Sequence, residues 1–145
     1  MKNFLAALFI CLCVPAGALA FSLDLPGAYF KPGHPTAGES LRDSLDPSRA
    51  DESIKNLRLT AESLAKYPGV YFEVAGHADS NECEADECRY LSSRRARLVF
   101  RHLLHLGVDP TRLDGLQGYG TKAPVSDHGS EETWMNRRVE INVSN

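Results

Sequence analysis

The stretch that decides the fold covers residues 70–106 and reads VYFEVAGHADSNECEADECRYLSSRRARLVFRHLLHL. Its first seven residues alternate between apolar and other side chains, which predicts a half-buried strand over residues 70–76. After a polar loop, apolar residues return at helical spacing and stop at Gly107. This second pattern predicts an amphipathic helix over residues 87–106, which begins shortly beyond the end of the strand.

The flanking segments extend this alternation of strands and helices. Upstream, Asp46 followed by Pro47 is typical of a helix start, with an acidic N-cap and proline at the first helical position. That helix would bury an apolar stripe formed by Ala50, Ile54, Leu57, Ala61 and Leu64. Shorter apolar runs predict further strands around residues 28–30, 113–118 and 137–143. The order predicts an α+β fold with the helices packed on one side of a mixed sheet.

The N-terminus has the layout of a secretory signal peptide. A short positive segment is followed by an apolar run over residues 4–14 and by Ala18-Leu19-Ala20, a small-x-small cleavage site. An apolar run of about 11 residues is too short to span a bilayer, which needs roughly 20. We therefore predict a signal peptide, a Pro- and Gly-rich arm of uncertain structure and a single domain, over residues 1–20, 21–46 and 47–145.

Charge and cysteine usage restrict the partners and the compartment. The 145-residue chain has a formal net charge of −3, which suits neither nucleic acid nor an anionic membrane surface. We expect no nucleic-acid partner and no transmembrane segment after the signal peptide. The cysteines beyond it, Cys83 and Cys88, most simply form a local disulfide in an oxidising compartment. A zinc site that adds His77 and Asp79 is the weaker alternative, because the spacing matches no standard signature.

Two charged residues stand where a strand end meets a helix. Arg95 falls in the middle of the apolar stripe, and a buried guanidinium needs either an internal carboxylate or a bound anion. Asp79 follows the predicted strand, at a position where ligands collect in α/β layouts. Together they can hold a ligand that carries both an ammonium and a carboxylate group. The alternatives are a structural ion pair for Arg95 and a loop-capping role for Asp79, and periodicity alone leaves both open.

The C-terminal strand carries two adjacent arginines. Arg137 shares strand parity with Val139 and Ile141, which predicts that it points inward, whereas Arg138 would point outward. Arg137 is therefore either a second anion contact or a member of a structural ion pair.

No arrangement typical of a hydrolase stands out in the sequence. Three serines near the loop lack a recognisable nucleophile setting, and the acidic residues over 82–87 are typical of a solvated surface. The arginines at 94, 97 and 101 also predict a solvated helix face. We predict that the chain is not an enzyme and that it holds no cofactor and no metal.

Four motifs resemble those of OmpA-like peptidoglycan-binding domains. They are VAGHAD, LSSRRA, GYG followed by Pro, and NRRVEI, at residues 74–79, 91–96, 118–124 and 136–141. The resemblance covers about residues 50–143 and implies a βαβαβ sandwich. It implies non-covalent binding of peptidoglycan through the diaminopimelate residue of the stem peptide, in the periplasm and near the outer membrane or cell wall.

The resemblance also implies roles for individual residues. Asp79 and Arg95 would grip the diaminopimelate, and Arg137 would line the site, with His77 and Asn136 at its edge. Other cell-envelope proteins are further candidate partners. The loop before the helix is about one residue longer than is usual in the family, and it carries a cysteine at 88 where asparagine is common. The alternative is a periplasmic protein–protein interaction module whose ligand site has decayed.

Overall fold

A computed structural model describes residues 23–127 and 129–144, so the predicted signal peptide lies outside the described residues. The strands and helices in chain order are β1 (Ala28–Tyr29), α1 (Leu41–Ser44), α2 (Ala50–Lys66), β2 (Tyr71–Gly76), α3 (Ala85–His105), β3 (Leu113–Gly118) and β4 (Arg138–Ser144). Single 3-10 turns precede β3 and β4, at Pro110–Arg112 and Thr133–Asn136. Within the described residues, no helix combines the length and the apolar character needed to cross a membrane.

The four strands form one mixed sheet in the order β1-β4-β2-β3. β2 pairs in parallel with β3 and antiparallel with β4, and β1 is antiparallel to β4. Phe72 and Val74 of β2 are buried in one core with Leu57 of α2 and Val99 of α3, whereas Tyr71 on the opposite face is exposed. The predicted α+β class and mixed sheet are therefore confirmed.

Two glycines set the distance between α3 and the sheet. Gly76 and Gly118 pair across β2 and β3. A Cβ atom on either glycine would overlap atoms of Ser92 or Ser93 in α3, so only glycine permits this approach. The close contact brings the next turn of α3, which carries Arg95, beneath the end of β2.

The segment predicted as an arm packs into the same core. Its backbone is hydrogen-bonded to the residue before β4 and to the end of α1. The N–H of Phe30 donates to the carbonyl of Arg137, and the N–H of Lys31 donates to the carbonyl of Ser44. The buried apolar residues of this segment are Leu25, Ala28, Phe30, Leu41 and Leu45. It therefore reaches the region of the Arg95 side chain, which lies over the ring of Phe30.

Three helix boundaries differ from the predictions, since α3 begins at Ala85 rather than near Glu87 and two further ends are shifted. α2 begins at Ala50 rather than at Asp46, because the Asp46 carboxylate closes a turn by accepting the N–H and the hydroxyl of Ser48. Leu106, predicted to belong to the apolar stripe of α3, is exposed because the helix ends at His105.

Candidate functional site

Arg95 lies at the centre of the site, and its side chain is 0% exposed. All five of its N–H donors have acceptors. Nη1 and Nη2 donate to Oε1 and Oε2 of Glu82 at 2.6 and 2.7 Å. The other three donors, on Nε, Nη1 and Nη2, reach the backbone carbonyls of His34, His77 and Lys31 at 2.8, 3.0 and 3.2 Å. The structural ion pair left open by the sequence is therefore present.

The carboxylate of Glu82 accepts four hydrogen bonds. Besides the two from Arg95, Oε1 accepts the backbone N–H of Asp79 and Oε2 that of Gly33, both at 2.8 Å. The Glu82 side chain is only 3% exposed. The prediction of a solvated acidic run is therefore wrong for Glu82, because the loop turns this side chain inward beneath Arg95. It holds for the neighbouring acids, Glu84, Asp86 and Glu87, which are exposed.

The ion pair determines the charge balance inside the site. Burial lowers the pKa of Arg95, the Glu82 carboxylate opposes this by hydrogen bonding and attraction, and the charges of Arg137 and Arg94 lower the pKa further. Glu82 is thus the group that favours the charged form of Arg95 in an environment that otherwise disfavours it.

Asp79 is 2% exposed and belongs to a second network. Its Oδ1 accepts the N–H of Asn81 at 2.9 Å, and its Oδ2 accepts Nδ2 of Asn136 at 2.8 Å. Asn136 also fixes the loop before it, because its Oδ1 accepts the N–H groups of Val125 and Ser126 at 2.8 and 3.1 Å. Asn136 therefore joins the Asp79 carboxylate to the loop that follows β3.

Arg137 lies beside this centre at the end of the 3-10 turn rather than in β4. Its Nε donates to the carbonyl of Phe30 at 3.0 Å, and its Nη2 is 3.9 Å from Oδ2 of Asp46. It is half-buried, and its charge lowers the pKa of Arg95, so the two guanidinium groups act on each other.

Arg138 corrects the parity prediction. It lies on the sheet face opposite Val139, as predicted, but it is only 7% exposed and does not point into solvent. Its Nε donates to Oε1 of Glu140 at 2.6 Å, and its Nη2 donates to the carbonyl of Ala123 at 3.2 Å. The loop that contains Ala123 covers the guanidinium, and strand parity alone does not reveal that cover.

His77 is a packed ring rather than a direct contact of Arg95. It stacks on Tyr119, with 5.6 Å between ring centroids, and its Nε2 is 3.6 Å from Oε2 of Glu140, which is longer than a hydrogen bond. Burial, followed by the charge of Arg138, lowers the pKa of His77, while Glu140 acts in the opposite sense. The backbone carbonyl of His77, and not its imidazole, contacts Arg95.

Cys83 and Cys88 form a disulfide, as predicted. Because both sulfur atoms are used in this bond, neither is a thiolate that could serve the zinc alternative. The bond joins the residue after Glu82 to the first turn of α3. It therefore ties the loop that supplies the carboxylate to the helix that supplies Arg95.

The matched sequence region decides the family. A model of the OmpA family matches residues 42–138, about two thirds of the chain, and includes β2, α3, β3 and the start of β4. The chain belongs to the OmpA family. The predicted resemblance is thereby confirmed.

This OmpA-family chain has relatives among known proteins. It is 43% identical over 91 residues to outer membrane porin F of Pseudomonas fluorescens, covering 62% of this chain and 26% of that protein. It is 35% identical over 91 residues to the peptidoglycan-associated lipoprotein of Pseudomonas aeruginosa, covering 62% and 52% respectively. The chain therefore spans between about a quarter and about half the length of these curated relatives.

Solved structures show the same fold as this OmpA-family chain. The peptidoglycan-associated lipoprotein from Burkholderia pseudomallei has a TM-score of 0.62 at 22% identity, covering 82% of this chain and 90% of that one. The periplasmic domain of Helicobacter pylori MotB has a TM-score of 0.57 at 27% identity, covering 71% and 66%.

Sequence reasoning missed four residues of the site in this OmpA-family chain. Three of them, Lys31, Gly33 and His34, contact Arg95 or Glu82 through backbone groups, which leave no signal in residue type. The fourth, Glu82, had one usable signal. It lies three residues after Asp79, at the start of the acidic loop that leads to the helix of Arg95, and a buried arginine on that helix needs an acid from a nearby loop.

Proposed function

We propose that the chain binds peptidoglycan non-covalently and without cleaving it, in the periplasm, through the diaminopimelate residue of the stem peptide. In this proposal Asp79 contacts the ammonium group of the ligand and Arg95 its carboxylate, while Arg137 lines the site. A relative named for its association with peptidoglycan supports the general function.

One observation carries the assignment to Asp79 and Arg95. Oε1 of Glu82 accepts the backbone N–H of Asp79 at 2.8 Å and Nη1 of Arg95 at 2.6 Å. The backbone N–H of Asp79 and the guanidinium of Arg95 therefore converge on a single carboxylate oxygen, which places the two predicted residues side by side. A ligand with a carboxylate and a nearby ammonium has the charges needed to contact both, and bidentate binding is what a guanidinium offers a carboxylate.

The second candidate is a periplasmic protein–protein interaction module with a decayed ligand site. It is favoured by the burial of Asp79, Arg95 and the Glu82 side chain, which are 2%, 0% and 3% exposed. A ligand would reach Arg95 only by displacing Glu82. The two candidates therefore differ in whether the isolated protein binds the wall at all.

Co-sedimentation of the full chain, as exported, with purified sacculi tests the proposal. We expect retention on diaminopimelate-type sacculi and weaker retention on lysine-type sacculi, with no release of soluble wall fragments. Asp79→Ala should reduce retention, whereas Asp114→Ala, at an exposed acid on β3, should not. Equal retention of wild type and Asp79→Ala would contradict the site assignment. Absence of retention would favour the interaction module, and released fragments would indicate an enzyme.

A further inference from the structure

We propose that Glu82 is a built-in competitor for the carboxylate position of the site, so that a ligand carboxylate binds only after the Glu82 side chain leaves. The inference rests on the proposed function for the identity of the ligand, but not for the competition itself. The position in question is the carboxylate cradle, defined by Nη1 and Nη2 of Arg95 and the backbone N–H groups of Asp79 and Gly33.

The cradle is held in place by contacts that do not involve Glu82. Three donors of Arg95 are bound to the carbonyls of His34, His77 and Lys31, which fix the plane of the guanidinium. Four convergent donors that are positioned in advance by backbone groups form a binding site for a carboxylate from any source. Glu82 is the carboxylate that occupies it in the free protein.

The position of Glu82 in the chain makes its departure simpler than that of Arg95. Arg95 lies in the third turn of α3, whereas Glu82 lies in the loop between β2 and α3. Asn81 before it is exposed, whereas Cys83 after it is half-buried and bonded to Cys88. The Glu82 side chain can therefore turn toward solvent through a change within this loop, which the Cys83–Cys88 bond anchors to α3.

The charge balance identifies the class of ligand. With Glu82 in the cradle, Arg95 is neutralised by Glu82, and Arg137 lies 3.9 Å from the opposite charge of Asp46, so the Asp79 carboxylate leaves the site with one net negative charge. An incoming ligand carboxylate would then meet Glu82 as a like charge. Once Glu82 leaves, one cation and one anion remain, which complements a zwitterion with a carboxylate and an ammonium group.

Small carboxylates test the cradle directly. Glu82→Ala should create a vacant position that sodium acetate or formate fills, so that either salt raises the melting temperature of this variant saturably beyond sodium chloride at equal ionic strength. Wild type and the matched control Glu84→Ala should show no such response. A Glu82→Ala protein that responds equally to acetate and chloride would overturn the cradle.

Glu82→Gln tests the competition and is available even if the alanine variant does not fold. The substituted amide keeps one acceptor oxygen but puts an NH2 group where the other carboxylate oxygen was, opposite donors of the cradle, so the side chain should leave the cradle more readily than the carboxylate. Titration calorimetry with meso-diaminopimelate should then show tighter binding than wild type, by about 10- to 100-fold if the vacated state is a minor population of the free protein. Glu84→Gln should bind like wild type.

The two experiments separate this inference from the proposed function. Equal meso-diaminopimelate affinity of wild type and Glu82→Gln, where binding is measurable, would overturn the competition. If no variant binds meso-diaminopimelate or sacculi, the proposed function fails. In that case a specific acetate response of Glu82→Ala would still support a carboxylate cradle occupied by Glu82.

Discussion

Arg95 donates its two Nη groups to the two carboxylate oxygens of Glu82, at 2.6 and 2.7 Å, with both side chains almost completely buried. A buried ion pair adds little net stability compared with apolar packing, but removing one partner leaves an uncompensated charge. The same contact therefore couples the stability of the domain to the occupancy of its predicted ligand site.

Breaking this pair is expected to destabilise the domain strongly. Glu82→Ala should lower the free energy of unfolding by about 3–5 kcal/mol, because the charge of Arg95 on α3 is then buried alone. Arg95→Ala should cost less, because Glu82 lies in a loop and its side chain can turn toward solvent. The double variant should lose clearly less than the sum of the single losses, since neither charge is then present. Guanidinium-induced unfolding of the four proteins measures this coupling. Additive losses would show that the two side chains do not depend on each other.

Asn136 is expected to act as a clamp between Asp79 and the loop after β3. Asn136→Ala removes one hydrogen bond to a carboxylate and three to backbone groups of Val125 and Ser126. We expect a loss of about 2–4 kcal/mol, since a net hydrogen bond contributes about 1 kcal/mol and one to a charged group about 1.5–3.

Amide hydrogen exchange provides the specific measurement for Asn136. The amides of Val125 and Ser126 should exchange faster in Asn136→Ala, because they lose their acceptor. Asn142→Ala, at an exposed asparagine of β4, is the matched control and should leave both amides unchanged. Unchanged protection in Asn136→Ala would mean that other contacts hold this loop.

Much of the fold was predictable because it follows from local patterns. The strand at Leu113–Gly118 was predicted with its observed bounds, and β2 and β4 each differ from the predictions by a residue at one or both ends. Alternation and helical spacing depend only on residues that are near each other in the chain, so they can be recognised without knowing the tertiary structure. The start of α2 was missed because an Asp-Pro pair can either cap a helix or close a turn. The Asp46 side chain accepts hydrogen bonds from Ser48 and closes a turn.

The site was predictable in its charged residues but not in their partners. The position of Arg95 in an apolar stripe revealed a buried guanidinium that needed an anion. The sequence did not reveal that this anion is Glu82, because that depends on how an irregular loop folds back. It also did not reveal the backbone carbonyls of Lys31 and His34, which lie far from Arg95 along the chain and accept its remaining donors. Arg138 shows the same limit, since parity assigned its face but not the loop that covers it.

The stability of the domain should fall as the pH decreases below about 6.5, because His77 is buried and its protonation is disfavoured in the folded state. Burial and the charge of Arg138 lower the folded-state pKa of His77 below its ordinary value of 6.5. The unfolded state therefore binds more protons in this window, so stability is complete above pH 6.5 and is lost as the pH falls toward the lowered folded pKa.

His77→Phe tests this, because it keeps a ring against Tyr119 and removes the titrating group. The slope of the unfolding free energy against pH should become shallower between pH 6.5 and 5. This is the window in which a histidine with the ordinary pKa of about 6.5 takes up its proton in the unfolded state. Some slope should remain, since burial also lowers the pKa of His102. His105→Phe, at an exposed position, should leave the His77 part of the slope unchanged and alter only the part from His102, whose pKa the charge of His105 also lowers. An unaltered slope in His77→Phe would assign the pH dependence to other groups.

The disulfide between Cys83 and Cys88 is expected to restrain Glu82 more than it stabilises the core. It closes a loop of only a few residues, so its entropic contribution is at the low end, about 2 kcal/mol. Oxidised protein should contain no free thiol among the described residues, as measured by alkylation and mass. On reduction, amide exchange should increase over residues 79–88 while α2 and β4 keep their protection.

The ligand affinity of the reduced protein then tests whether the disulfide holds Glu82 in the carboxylate cradle. Because the bond ties the residue after Glu82 to α3, its loss should help Glu82 to leave the carboxylate cradle. We therefore expect the reduced protein to bind meso-diaminopimelate more tightly than the oxidised protein, with titration calorimetry as the measurement. Glu82→Gln should show no such gain, since its cradle is already vacant. Weaker binding by reduced wild type would instead show that the fixed shape of the loop limits affinity, rather than the release of Glu82.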